Sequence, residues 1–256
     1  MLKDMRDDLG HDVDVRNGVR RVVSLVPSLT ESVAATDRSL LVGATDWCTH
    51  PGDLDVARVV GTKNPDVAAV RALEPDLVLA NAEENRQVDL DALRENGLAV
   101  WVTDVRTVDT AFASLARMLA ACGLSRPGWL DDAVRAWDLV VPLAPRRRAV
   151  VPIWRRPWMA VGSDTFTGDV LRRLGVDNVL ADSPERYPRV DPADLPAHDL
   201  VVLPTEPYEF STGDGPEAFA GKESAVVSGR HITWYGPSMV EAPTLLARQL
   251  AQTVTG

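Results

Sequence analysis

Apolar runs that suit buried strands alternate along the chain with stretches of helical spacing. Arg21–Val26 reads RVVSLV, a run rich in β-branched residues that is typical of a covered strand, and Pro27 ends it. Ser28 and Glu31 then form S-x-x-E, which predicts a capping box at the start of a helix over residues 28–35. A strand that leads directly into a helix indicates a parallel α/β sheet, where ligands lie beyond the carboxyl ends of the strands.

The same alternation continues to the C-terminus. The pattern predicts further strands at 40–45, 57–60, 76–80, 98–103, 149–153, 179–180, 199–203 and 232–234. It predicts further helices at 66–73, 89–96, 108–122, 129–140, 164–174, 191–195 and 239–253.

These elements predict a two-lobe α/β fold with mainly parallel sheets, a long connecting helix and a ligand cleft between the lobes. The predicted segments are a polar N-terminal arm (1–19), an N-terminal α/β lobe (20–107), a helical connector (108–145) and a C-terminal α/β lobe (146–256). Within the arm, residues 11–15 are a candidate edge strand.

Composition limits the classes of function. A chain of 256 residues with 45% hydrophobic residues has ample material for a core, and a formal net charge of -10 argues against a nucleic-acid partner. Cys48 and Cys122 are too far apart to indicate a disulfide framework. The first residues carry no apolar leader and no run is long enough to span a membrane, so we expect a cytoplasmic protein, or a periplasmic or cell-surface one if a leader has been removed.

Large flat side chains follow several predicted strands. The sequence holds seven Trp against four Phe and three Tyr, and the aromatic residues that fall in strand-end loops are Trp47, Trp154, Trp158, Tyr187, Tyr208, Trp234 and Tyr235. Such rings stack on or close over a planar ligand. The alternative is that they pack at the bases of their loops.

Charged residues share these loops. Glu83, Glu84 and Glu206 are candidates for acid–base chemistry or for contacts to a ligand, as is Arg155 between the two Trp of WRRPW. The alternative is that the carboxylates form ion pairs with arginines across the cleft.

Cys48 and His50 form C-x-H beside Trp47, and His231 is a third residue able to bind a metal. These residues predict either a small metal site or an axial contact from His50 to a metal inside a bound macrocycle. The chain has no G-x-S-x-G, no phosphate-binding loop and no G-x-G-x-x-G, so we expect a protein that is not an enzyme.

The segments RVVSLVPSLTE, LLVGATDWCTHP, RALEPDLVLA and LAVWVTD resemble the N-terminal lobe of class III periplasmic binding proteins, most closely the vitamin B12 receptors of ABC importers. The resemblance implies two α/β lobes joined by a rigid helix, with the ligand clamped between them. It also implies that Trp47, Tyr187 and the segment 154–158 face the ligand. Relatives in this family bind cobalamin, siderophores, haem or free metals.

Two departures from the family concern its binding and docking positions. Thr62 stands near a position where the B12 receptors have Trp. The importer receptors dock their permease through one glutamate on each lobe, and Ala68 and Ala193 stand at the matching positions. The resemblance therefore implies a ligand clamp without the permease contact.

The leading hypothesis is a monomeric binding protein for a planar, metal-containing small molecule, with cobalamin or another corrinoid as the ligand and no covalent cofactor. Trp47, Trp154, Trp158 and Tyr187 would form the apolar walls, and Glu83, Glu206 and the arginines would bind the rim. The alternatives are a haem, siderophore or metal-ion receptor of an ABC importer, and a cytosolic enzyme or chaperone that acts on a tetrapyrrole or metal complex.

Overall fold

The chain folds into two compact units, each with its own sheet. The computed structural model describes residues 5–15 and 18–255. The first unit takes in the described residues of Met1–Val105 together with Thr110–Asp131, and the second takes in Arg106–Asp109 and the rest from Asp132 onward.

The first unit contains seven of the strands and the first three helices. The strands are β1 Val22–Ser24, β2 Leu41–Ala44, β3 Ala57–Arg58, β4 Val60–Gly61, β5 Asn64–Pro65, β6 Leu77–Asn81 and β7 Val100–Thr103. The helices are α1 Pro27–Asp37, α2 Val67–Ala72 and α3 Gln87–Glu95.

Five of these strands form a parallel sheet in the order β3-β2-β1-β6-β7, and β4 and β5 form a separate hairpin. Val23, Val78 and Val102 are fully buried in its core, as expected for strands covered on both faces. Each such side chain stabilises the fold by roughly 1.5–3 kcal/mol. The carboxyl ends of β2 and β6 lead into the loops that carry the predicted site residues.

Helix α1 begins one residue earlier than predicted, and the predicted capping box is wrong. Pro27 is the first helical residue and Val26 stands at the N-cap, with no side-chain cap. Proline suits this position because its ring presets the helical φ and its missing N–H would have no partner there. Ser28 and Glu31 are therefore inside the helix, where both are buried.

The described part of the N-terminal arm packs against the first unit. Arg6 and Asp12 form an isolated antiparallel bridge, so residues 11–15 do not form the predicted edge strand. The Asp8 carboxylate accepts hydrogen bonds from the Asp104 N–H (3.0 Å) and from Arg117 (2.6 Å). Residues 1–4, 16 and 17 of the predicted arm lie outside the described residues.

Helices α4 (Val108–Ala121) and α5 (Gly128–Asp138) each cross a boundary between the two units. In the second unit, the Asp169 carboxylate accepts the N–H of Val108 at 2.9 Å and thereby caps the start of α4. In the first unit, the Trp129 indole donates to Thr36 Oγ1 at 3.0 Å.

The second unit contains the remaining strands and helices. The strands are β8 Arg147–Val150, β9 Pro152–Arg155, β10 Trp158–Ala160, β11 Val176–Asn178, β12 Leu200–Pro204, β13 Glu223–Val227 and β14 Val254–Thr255. The helices are α6 Phe166–Arg173, α7 Gly229–Thr233 and α8 Ala242–Leu250.

The second sheet has the order β11-β8-β12-β13-β14 and is parallel except for the short edge strand β14. The predicted strand at 232–234 is wrong, because these residues lie in and after helix α7, where the Thr233 hydroxyl donates to the Gly229 carbonyl at 2.8 Å. Strand β13, which lies between β12 and the edge strand β14, has no counterpart in the prediction. Residues 152–160, predicted to be mostly loop, form the antiparallel hairpin β9–β10.

The helices within the described ranges are all too short or too polar to cross a bilayer.

Candidate functional site

Trp47 is the most exposed aromatic residue in the first unit, with 66% of its surface accessible. It lies in the loop after β2, and Arg58 holds that loop in place. The Arg58 guanidinium donates to the carbonyl oxygens of Thr45 (2.9 Å), Cys48 (3.0 Å) and Leu54 (3.2 Å). The indole is thus presented to solvent on a loop whose backbone is fixed.

The β4–β5 hairpin connects the Trp47 loop to the loop after β6. The Trp47 Nε1 lies 3.6 Å from the position that a Cβ on Gly61 would occupy. At the tip of the hairpin, the Lys63 ammonium donates to the Glu83 carbonyl, and the Asn85 amide donates to the Thr62 carbonyl at 2.8 Å.

These contacts place Trp47, Lys63, Glu83 and Glu84 along one continuous surface of the first unit, which we call the Trp47 face. Glu84 is exposed and Glu83 is half-buried. Lys63 was not among the predicted site residues, because its charge gains significance only through the position of the hairpin.

Cys48 and His50 do not converge on a metal. The Cys48 thiol is fully buried, accepts a hydrogen bond from the Thr30 hydroxyl at 3.0 Å and lies 3.2 Å from the Thr45 hydroxyl. Burial raises the pKa of this thiol, which disfavours the thiolate needed for metal binding or nucleophilic attack. His50 Nδ1 lies 3.2 Å from the Thr49 hydroxyl.

His231, the third predicted metal residue, lies in the second unit with both ring nitrogens engaged. Its Nδ1 is 2.7 Å from Ser228 Oγ and its Nε2 is 2.7 Å from Glu241 Oε1. The hydrogen bond from His231 holds the pKa of Glu241 below its usual value. Across the part of the chain that the structure describes, no group of three or more His, Cys, Asp or Glu is arranged to hold a metal.

The second unit gathers aromatic residues from β9, β10 and the loops after β12 and before β13. We call this the aromatic cluster; its members are Trp154, Trp158, Tyr208, Phe210 and Phe219. Trp154 meets Tyr208 edge-on with ring centroids 5.8 Å apart, and Trp158 stacks on Phe210 at 6.0 Å. These are the offset and edge arrangements that the ring quadrupoles favour.

The two ends of the aromatic cluster differ in exposure. Phe210 and Phe219 are buried and belong to the core of the second unit, whereas Trp154 is 44% exposed. The cluster therefore has a buried base and an accessible edge at Trp154. Trp154 and Trp158 lie in the paired strands β9 and β10, not in a strand-end loop as predicted.

Arg155 is neutralised within the second unit. Its guanidinium forms ion pairs with Asp214 and Glu217 and lies 5.4 Å from the centre of the Trp158 ring. The Tyr208 hydroxyl donates to Asp214 at 2.7 Å, so Asp214 joins the arginine to the aromatic cluster. Arg155, which the sequence analysis placed at the rim of the ligand, is therefore paired with two carboxylates that the sequence analysis did not identify.

In the first unit, Arg86 forms an ion pair with Asp89, which lies three residues further along the chain in α3.

Glu206 lies beside the start of α7. The Gly229 N–H donates to Thr205 Oγ1 at 2.9 Å, and a Cβ on Gly229 would overlap the backbone of Glu206. Trp234 and Tyr235 follow α7 instead of a strand. Trp234 is half-buried, and Tyr235 is buried against Phe166 with ring centroids 5.8 Å apart, so Tyr235 has a packing role.

Tyr187 lies in a segment that pairs with β10. The Ala160 N–H donates to the Pro188 carbonyl at 3.1 Å, and Met159 and Arg189 form an antiparallel bridge. Tyr187 is half-buried, with the Arg186 guanidinium 5.7 Å from its ring centre.

No family model matches the chain. Among curated proteins, it is 24% identical over 216 residues to the vitamin B12-binding protein of Pectobacterium carotovorum subsp. carotovorum (strain PC1), covering 80% of this chain and 75% of the relative. It is 25% identical over 274 residues to the ABC transporter substrate-binding lipoprotein YvrC of Bacillus subtilis (strain 168), covering 95% of this chain and 84% of the relative.

Two solved structures share the fold. The periplasmic vitamin B12 binding protein BtuF of Vibrio cholerae has a TM-score of 0.71 at 18% identity, covering 91% of this chain and 97% of BtuF. The periplasmic heme-binding protein BhuT, in complex with two hemes, has a TM-score of 0.74 at 23% identity, covering 91% of this chain and 98% of BhuT.

These likenesses confirm the two-lobe α/β fold with mainly parallel sheets, which is the fold of BtuF-like periplasmic binding proteins. They also confirm the resemblance to class III periplasmic binding proteins that the sequence motifs indicated.

Proposed function

We propose that this chain is a non-enzymatic binding protein for a planar, metal-containing small molecule, and that the ligand is cobalamin or another corrinoid. The observation that carries the proposal is Trp47, a large flat side chain exposed to 66% on a loop that Arg58 fixes. An exposed aromatic surface on a rigid backbone is ready to stack on a flat ligand at little cost in entropy.

The second unit supports the same kind of ligand. Trp154 is 44% exposed beside the buried base of the aromatic cluster, and Glu206 and Trp234 lie on segments held together at Gly229. The relatives named above include vitamin B12-binding proteins, which favours a corrinoid over other planar ligands.

Haem is the competing ligand, because BhuT shares the fold and binds hemes. A free metal ion has less support, since Cys48 is buried with a raised thiol pKa and His231 is engaged at both ring nitrogens. The buried thiol of Cys48 also gives no support to an enzyme that uses it as a nucleophile.

Two positions match the glutamates through which importer receptors dock to their permease. Ala68 in α2 and Ala193 in a short 3-10 helix are both exposed and carry no charge. We therefore infer that the chain binds its ligand without docking to a permease through these two positions.

Co-elution of a coloured ligand tests the proposed function. The protein is incubated with dicyanocobinamide or haem and passed through a desalting column, and the absorbance of the protein fraction is read. We expect the corrinoid to co-elute at one per chain, and Trp47→Ala to reduce the bound fraction at least about tenfold because the stacking surface is removed.

The matched control for this test is Val88→Ala, which shortens another apolar side chain of the first unit that is 65% exposed. This control should bind as the natural chain does. Co-elution of haem alone would reassign the ligand, and equal binding by Trp47→Ala would remove Trp47 from the site.

A further inference from the structure

The β4–β5 hairpin contains a strained residue that the rest of the first unit has to hold. Val60 has a φ of 68°, in the left-handed region, where a β-branched residue is a rare outlier. Such a conformation persists only where surrounding contacts prevent the backbone from relaxing. Val60 is 43% exposed, so burial of its own side chain does little to hold it.

The same residue joins the hairpin to the Trp47 loop. The Val60 carbonyl accepts the N–H of Asp46, the residue before Trp47, at 2.8 Å. On the next residue of the hairpin, the position of an added Cβ at Gly61 lies 3.6 Å from Trp47 Nε1. A hairpin that relaxed at Val60 would turn this carbonyl away and release the backbone beside Trp47.

Asn85 holds the hairpin from the loop after β6. Its side chain is buried; Oδ1 accepts the Asn81 N–H at 2.9 Å, and Nδ2 donates to the Thr62 carbonyl at 2.8 Å, two residues after the strained one. A buried amide bonded at both ends resists displacement, because moving it would leave buried polar groups without partners. The bond from Lys63 to the Glu83 carbonyl is a second link between the hairpin and this loop, but it is exposed.

We propose that Asn85 is a positioning residue, whose buried amide holds the strained hairpin in the form that keeps Trp47 ready for the ligand. The inference rests on the proposed function and adds a residue that acts without touching the ligand. Without the Asn85 amide, the strain at Val60 moves the hairpin, and the fraction of molecules with Trp47 in position falls. The apparent affinity falls by the same factor.

Relief of the strain at Val60 tests whether Asn85 opposes it. Glycine adopts a positive φ without a steric penalty, so Val60→Gly removes the force that the Asn85 amide resists. Val60→Gly should therefore restore binding to a chain that carries Asn85→Ala. Asn85→Asp, which keeps the acceptor for the Asn81 N–H and loses the donor to Thr62, takes the place of Asn85→Ala if that variant does not fold.

The matched control is Glu74→Gly, which relieves strain elsewhere in the same unit. Glu74 also has a positive φ, of 45°, and is exposed, but it precedes β6, at the opposite end of that strand from the Asn85 loop. A gain in general stability would come from either glycine, whereas only Val60→Gly acts on the hairpin. Glu74→Gly should therefore leave the Asn85→Ala chain weak.

The experiment measures the Kd of dicyanocobinamide by calorimetry and, without ligand, the hydrogen exchange of the Asp46 amide. We expect Asn85→Ala to raise Kd at least about tenfold, and the double variant with Val60→Gly to return to within about threefold of the natural chain. The double variant with Glu74→Gly should bind as weakly as Asn85→Ala alone. Exchange at Asp46 should be faster in Asn85→Ala and slow again in the double variant with Val60→Gly.

Equal Kd values for Asn85→Ala and the natural chain, or rescue by Glu74→Gly as well as by Val60→Gly, overturn the inference and leave the proposed function standing. Unchanged exchange at Asp46 in Asn85→Ala overturns the inference whether or not a ligand binds. No binding of dicyanocobinamide by the natural chain overturns both.

Discussion

Gly229 determines where Glu206 lies, because the two backbones approach too closely for a side chain between them. Nothing in the sequence VVSGRH marks this glycine as different from one in an ordinary turn. Residue types in predicted strand-end loops singled out Trp154, Arg155 and Tyr208, and the fold brings these residues together although Trp154 and Arg155 lie in strand β9. Their partners Asp214 and Glu217 come from a loop whose path depends on tertiary packing, so sequence spacing could not identify them.

Replacing Gly229 tests this close approach. Gly229→Ala should reduce the free energy of unfolding by about 1–3 kcal/mol, because the added methyl must displace the Glu206 backbone. Urea denaturation measures the change. Gly213→Ala in the same unit is the control, since no atom lies within 4 Å of its added Cβ, and it should stay within about 0.5 kcal/mol of the natural chain. Equal stability of the two variants would mean that the backbones of Gly229 and Glu206 can separate without cost, which would contradict the close approach described here.

At the scale of elements, strands and helices with a strong apolar period were predictable, and short elements inside mixed sequence were not. The buried strands β1, β6 and β12 follow from their short apolar runs. ITW at 232–234 has high β propensity but lies in and after α7, because the Ile232 N–H donates to the Ser228 carbonyl and the Trp234 N–H donates to the Arg230 carbonyl. The hairpin β9–β10 was not predicted, because its turn residues Arg156 and Pro157 are of types that are also common in longer loops.

Helix starts provide a test at this scale. Asp66 caps α2 by accepting the Ala69 N–H at 2.9 Å, whereas Ser28 lies inside α1 and caps nothing. Asp66→Ala should therefore cost about 1 kcal/mol of unfolding free energy, and Ser28→Ala less than about 0.5 kcal/mol. If Ser28→Ala lowers the free energy of unfolding by more than this in urea denaturation, Ser28 does cap the helix, as the sequence predicted.

The whole molecule holds acidic groups whose ionised forms are favoured by folding. Arg38 lowers the pKa of Asp53, Arg146 lowers that of Asp177, and His231 lowers that of Glu241. Each folded-state pKa lies below the ordinary value of 3.8 for Asp or 4.5 for Glu. The stabilisation is therefore complete above those values and is lost as pH falls through the lower folded-state values.

We expect the free energy of unfolding to be steady above about pH 5 and to decline as the pH falls toward about 3, as measured by urea denaturation at a series of pH values. Asp177→Asn should make the free energy of unfolding fall less steeply at low pH, because the variant lacks the carboxylate that titrates at this position. A stability that is constant or rises between these pH values would contradict the set of lowered pKa values.

The measurement that tests the central claim most directly is calorimetric titration of the full chain with cobalamin, cobinamide and haem in turn. Binding of a corrinoid at one per chain, with a micromolar or lower Kd and a negative heat-capacity change from burial of Trp47, is the predicted result. No heat from any of the three at high micromolar concentration, or binding of haem alone, would contradict the account.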